Sequence, residues 1–149
     1  MEATPLSSTS LRIRRVLNAS RDRVWRALTD PKELAKWYTP GTMTATIYRF
    51  DARSGGSFEL DMTETNGTPH RAYGKFLEVV PGRLLVHTWR WKDFPLDAGE
   101  SVVTIELRDV PGGTEVTLTH EKLANEGSVK AHIEGWTGCL EKLGNILEG

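Results

Sequence analysis

The side chains of this sequence best suited to chemistry near neutral pH are His70, His87, His120, His132 and Cys139. An imidazole carries protons in general acid and base catalysis, or lends a nitrogen to a metal. The metal reading has little to stand on. No two of the histidines sit four apart on a helical stretch, no carboxylate joins them in a metal-binding motif, and one cysteine cannot build a thiolate cage. Neither a metal nor a cofactor is therefore expected. Proton transfer remains, with His87 and His120 as its weak candidates because both interrupt apolar strand faces. The plainer reading, an interior histidine held by hydrogen bonds, outweighs catalysis for both, since polar groups in cores are as a rule satisfied. Cys139 has only Lys142 within a helical turn to favour its thiolate and reads as a passive thiol. Asp51 and Arg53 precede Gly55-Gly56, whose amides could hold an anion. A hairpin turn with a solvated ion pair is the simpler account. No nucleophile elbow, phosphate loop or dinucleotide loop is present.

The elements that position these residues follow from period and punctuation. Residues 1–10 are rich in Ser, Thr and Pro and read as a flexible leader, with residues 11–149 as one domain. Leu11 to Leu17 alternates as a strand whose three arginines suit a sheet edge. Ser20 and Asp30-Pro31 each start a short helix, the first burying Val24, Trp25 and Leu28, the second Leu34 and Trp37. From Thr42 the turns at Arg53-Ser54-Gly55-Gly56, Asn66-Gly67, Pro81-Gly82 and Gly112-Gly113 separate period-2 runs. They predict strands over 42–51, 57–64, 70–80, 83–91, 100–110 and 114–123. Val129, Ile133, Trp136, Leu140, Leu143 and Leu147 then recur every three or four residues, the stripe of one long helix. Gly135 flanks that arc and could permit close approach of a strand or ligand. Gly138 points outward. The fold class is α+β: a curved antiparallel sheet wrapped around a long C-terminal helix, with two short helices after the first strand.

If the sheet embraces that helix, alternation selects its inner rows. They are Phe58, Leu60 and Met62; Val103, Ile105 and Leu107; and Val116 and Leu118, continuing to His120. Between Arg83 and Trp91 both alternate sets are apolar. Leu85, His87, Trp89 and Trp91 are assigned inward because a row of aromatic rings suits the concave side of a bent sheet. Apolar walls with a few placed polar groups are the pattern of a ligand pocket. Leaving aside Leu107 and Trp91, these rows, with Ile133, Trp136 and Leu140 of the helix, are the candidate ligand-binding residues. The stretch between Trp91 and Glu100, containing Pro95 and Gly99, is the expected lid.

Composition narrows the function classes. At 26% charged and 38% hydrophobic residues with a net charge of -1, the chain has enough to bury for one core and no basic excess for gripping nucleic acid. No stretch approaches the roughly 20 apolar residues of a membrane span, and the opening residues lack the parts of a signal peptide. Cytoplasmic residence without membrane insertion is the expectation, and a homodimer is compatible with the sequence.

Several stretches together resemble a known family. ASRDRVWRALTDPKELAKWYTP, FDARSGGSFELDM, GKFLEVVPGRLLVHTWRW, GGTEVTLTHEKL and EGWTGCLEKLGNIL look like the heat-shock protein 90 ATPase activator-like family, from about Leu11 to Leu147. That family belongs to the START-like superfamily of helix-grip folds, which includes polyketide cyclases. The resemblance implies a cavity between helix and sheet and the binding of a small hydrophobic molecule such as a lipid. A cyclase or hydrolase acting on an apolar substrate through His87 or His120 is the second expectation. A partner that stimulates the chaperone's ATPase is the third.

Overall fold

The computed structural model describes residues 1–92 and 99–148. Its elements in chain order are β1 (Glu2–Ser7), β2 (Ser10–Leu17), α1 (Arg21–Thr29), α2 (Pro31–Leu34), β3 (Thr44–Phe50), β4 (Ser57–Thr63), β5 (Pro69–Val80), β6 (Leu84–Trp91), β7 (Ser101–Val110), β8 (Gly113–Glu121) and α3 (Glu126–Glu148). The strands expected from turn residues are present with ends within two residues of the expected ones. Ser20 caps α1 by accepting from the Arg23 amide at 3.2 Å, and Asp30 caps α2 by accepting from the Lys32 amide at 2.9 Å. The Trp37 indole donates to the Ala27 carbonyl at 2.9 Å and locks the two short helices together.

The strands form one antiparallel sheet in the order β1-β2-β8-β7-β6-β5-β4-β3, curved and unclosed. Its bend has identifiable causes. Register shifts between Ile47 and Arg49 and between Phe76 and Glu78 insert bulges, which kink a strand and increase its twist. At Gly74 a Cβ would stand 2.1 Å from the Thr88 carbonyl oxygen and 2.7 Å from the Phe58 ring, so only glycine lets β5 and β6 approach there.

One expectation is corrected. The flexible leader is in its greater part β1, paired antiparallel with β2 from Glu2↔Arg14 to Ser7↔Ser10. All six β1 residues are exposed, so the strand is made by ladder hydrogen bonds and buries no side chain of its own. An apolar period cannot reveal such a strand. Consequently β2 lies between β1 and β8, and its arginines do not mark a sheet edge.

Helix α3, about 34 Å long at 1.5 Å per residue, lies in the concave face. It buries Val129, Trp136, Cys139, Leu140, Leu143 and Gly144. Gly144 admits the Arg15 guanidinium, which reaches over the helix to donate to the Leu140 carbonyl at 2.8 Å. Gly138 does not face solvent as its place in the helical stripe suggests; a Cβ there would sit 3.4 Å from Pro40 Cα, against the loop between α2 and β3. No helix among the described residues is long and apolar enough to cross a membrane.

Candidate ligand-binding site

The inner rows meet α3 in a dense aromatic cluster. Phe58 stands 5.0 Å from His87 and 5.6 Å from Trp89, Trp89 is 5.7 Å from Trp136, and Trp136 is 5.6 Å from Tyr38, mostly edge to face or tilted. Beyond Trp89 the two walls stop meeting and leave a cavity of about 210 Å³. Met62, Trp89 and Trp91 line it from the sheet, with His70 of β5 at one side. Ala131, His132, Gly135, Trp136 and Cys139 line it from α3, and Pro40 and Met43 from the loop before β3. Lys142 holds that loop in place, donating to the Thr39 carbonyl at 2.7 Å and to its hydroxyl oxygen at 3.1 Å. The Thr39 hydroxyl in turn donates to the Met43 carbonyl at 2.8 Å.

Of the candidate ligand-binding residues, Met62, Trp89 and Trp136 line this cavity. Phe58, Leu60, Leu85, His87, Val103, Ile105, Val116, Leu118, His120 and Leu140 are buried but away from its walls. Ile133 is half-buried and borders a surface groove beside Pro5 and Leu6. The hollow therefore does not run the length of α3. Along most of the helix large side chains from both walls interlock; the gap opens where α3 presents Ala131, Gly135 and Cys139, three small residues at intervals of four. That spacing was visible in the sequence, whereas the loop residues Pro40 and Met43 and the histidines His70 and His132 were brought in by tertiary packing. The expected lid falls largely on residues 93–98, outside the described residues.

Hydrogen bonding assigns the buried histidines. The Trp136 indole N–H donates to His120 Nδ1 at 3.0 Å, which leaves the ring proton on Nε2. Nε2 then donates to Ser101 Oγ at 2.7 Å, and the Ser101 hydroxyl donates to the Trp89 carbonyl at 3.1 Å. Both nitrogens of His120 are engaged. Burial holds its pKa well below 6.5, and the nearby His132 and His87 add to the effect. His132 donates from Nδ1 to the Ser128 carbonyl at 2.7 Å and accepts at Nε2 from the Trp91 indole at 3.4 Å; burial lowers its pKa too. His87, wedged between Phe58 and Phe76, donates from Nδ1 to the Thr88 carbonyl at 2.9 Å, and burial pushes its pKa down to about 4. Burial thus favours the neutral form of all three imidazoles, and the catalytic candidates His87 and His120 are not among the residues that line the cavity. His70 bonds Glu64 at 2.9 Å on the cavity's outer side. Burial pushes the Cys139 thiol up to about 12, so it remains protonated.

The anion-site reading of Asp51 and Arg53 is not what the geometry shows. Their ion pair, at 2.7 Å, is exposed. The Gly55 and Gly56 amides are spent on the carbonyls of Phe76 at 3.0 Å and Arg53 at 2.8 Å. This is a hairpin turn.

A curved antiparallel sheet gripping a C-terminal helix, with an apolar hollow between them, defines a START-like protein of the helix-grip class, a fold that typically binds hydrophobic ligands. Within that class the chain belongs to the Activator of Hsp90 ATPase homolog 1-like family, whose model matches residues 18–148. Solved structures agree. A protein of Chromobacterium violaceum is 31% identical with a TM-score of 0.87, the match covering 95% of this chain and 99% of that one. A Rhodobacter sphaeroides protein is 26% identical with a TM-score of 0.86, covering 99% and 97%. One from Nitrosomonas europaea is 29% identical with a TM-score of 0.79, covering 94% of each. No curated protein matches the chain.

Proposed function

We propose that this protein binds a compact apolar molecule, the size of one or two fused rings, in the cavity between α3 and strands β4 to β6. The observation that carries the reading is Gly135. A Cβ at that position meets no atom within 4 Å, although it sits mid-helix where alanine is more stable by up to about 1 kcal/mol. The missing side chain leaves room that the packing around it does not reclaim. Size then sets the guest. An apolar cavity of about 150 Å³ takes up benzene, and drug-sized pockets run to roughly 300–1,000 Å³. A volume of about 210 Å³ falls between them. The walls set its character: three indoles, two thioethers and a thiol are soft, polarisable surfaces that favour an aromatic or conjugated guest.

Naphthalene titrated into ¹⁵N-labelled protein tests the proposal. Saturable shifts should centre on residues 131–139 and the indoles of Trp89, Trp91 and Trp136. Gly135→Leu, which places a side chain in the open space, should keep the circular dichroism spectrum and weaken binding at least tenfold. Unsaturable shifts, or equal binding by the folded variant, would remove the reading. A surface-mediated role, such as acting on the chaperone ATPase that gives the family its name, would be untouched by Gly135→Leu.

A further inference from the structure

Building on the ligand-binding reading, we infer that the guest carries a hydroxyl donor on its aromatic body, as a phenol does, and that Nδ1 of His70 receives it where the cavity meets solvent. Register places His70 for this. It is the cross-strand partner of Met62, so the two side chains rise from the same concave face of the sheet, and both line the cavity. The His70 side chain is 27% exposed, which sets it at the mouth of the hollow. Its Nε2 is bonded to the Glu64 carboxylate at 2.9 Å. A carboxylate only accepts, so Nε2 holds the ring proton and Nδ1 of the neutral imidazole keeps its lone pair. Nδ1 has no hydrogen-bond partner among the described residues and is not one of their buried unpaired atoms. It is open to an incoming group.

Among the described lining residues, no other side-chain nitrogen is free to answer a guest. His132 spends Nδ1 on the Ser128 carbonyl and Nε2 on the Trp91 indole, and the Trp136 indole is spent on His120. The Trp89 nitrogen is buried out of reach. What remains beside His70 is one thiol and two thioethers, all weak partners. The wall thus offers one good acceptor and no good free donor, and that imbalance selects the guest. A phenol donates to Nδ1 while its ring fills the apolar hollow. A ketone or ether has only lone pairs to set against another lone pair. A carboxylate would bring like charge toward Glu64 and give up its water with no lysine or arginine in the described wall to receive it. A plain hydrocarbon leaves Nδ1 to solvent, which costs little and gains nothing.

β-Naphthol and β-methylnaphthalene are near-isosteres that differ in OH against CH₃, and they provide the test at about pH 8, above the usual imidazole range. His70→Phe keeps an aromatic wall and removes the acceptor. The ratio of the two affinities, naphthol over methylnaphthalene, should then fall about fivefold, the worth of one part-exposed hydrogen bond, with β-methylnaphthalene within about twofold of its wild-type affinity. In long-range ¹H–¹⁵N spectra of the full chain, the lone-pair resonance of His70 Nδ1 should move upfield as β-naphthol saturates and hold its place with β-methylnaphthalene. If the variant does not fold, that wild-type resonance decides. An unchanged ratio, or an Nδ1 resonance that does not respond to β-naphthol, would overturn the inference while leaving the cavity's role intact. Failure of both probes to bind would remove the inference and the ligand-binding reading together.

Discussion

Glycine in the middle of a helix costs stability unless the missing side chain serves something, and the three glycines of α3 divide on that criterion. Gly144 makes way for the Arg15 guanidinium and Gly138 abuts Pro40, while Gly135 faces open space. Gly135→Ala should therefore raise the chemical denaturation free energy by up to about 1 kcal/mol and weaken naphthalene binding; stabilisation without loss of affinity would mean the guest lies elsewhere. The buried histidines make a second forecast. His87 has a folded-state pKa of about 4, below its unfolded value near 6.5, so the unfolded chain takes up the proton first as pH falls. Stability is fully present above about pH 6.5 and declines toward about pH 4, by on the order of 3 kcal/mol from His87 alone. His120 and His132 act in the same direction. Asp61, whose carboxylate is held below 3.8 chiefly by its hydrogen bonds from Arg71, contributes only below that window. Urea midpoints between pH 7 and 4.5 should trace this loss, and His87→Asn, which can keep a donor for the Thr88 carbonyl without titrating, should reduce it by the His87 share, leaving that of His120 and His132.

Among the elements, the loop between α2 and β3 matters to the cavity more than its lack of regular structure suggests. It supplies Pro40 and Met43 to the wall and is tied to α3 through Lys142 and Thr39. Lys142→Ala should leave the fold intact, speed amide exchange across residues 38–44, and weaken naphthalene binding several-fold; unchanged exchange would show that the clamp is not what holds the loop. Strand β1 presents the opposite case. It adds a ladder to β2 with every residue exposed, so removing residues 1–8 should cost no more than about 1 kcal/mol. Exchange should rise in the β2 amides that faced it, whereas a large fall in stability would mean that β1 contributes burial its exposure does not show. The turn residues and alternation made β3 to β8 legible, because β4 to β8 bury one face and β3 half-buries one. They were silent on β1, which buries none.

For the molecule as a whole, a guest that binds only the folded state adds stability by mass action, about 2.7 kcal/mol at one hundred times its Kd. Thermal unfolding with increasing naphthalene should shift upward in wild type and stay fixed in Gly135→Leu. The sequence by itself determined the architecture, since the period-2 rows, the helical stripe and the turn glycines each report where one chain segment turns its apolar side. It also carried the row of Ala131, Gly135 and Cys139, although a small side chain signals available space only once its neighbours are known. Tertiary structure decided where that space survives. Phe58, Leu85, Ile105, Leu118 and Leu140 carry inward patterning as strong as that of Met62 and Trp89 and are nevertheless core, because whether two facing walls interlock or stand apart depends on the summed volume of side chains from distant segments. The same holds for the polar groups: His120 was visible as a histidine on an apolar face, but its neutral, fully engaged state arises from Ser101 and Trp136, which only the folded sheet and helix bring to its two nitrogens.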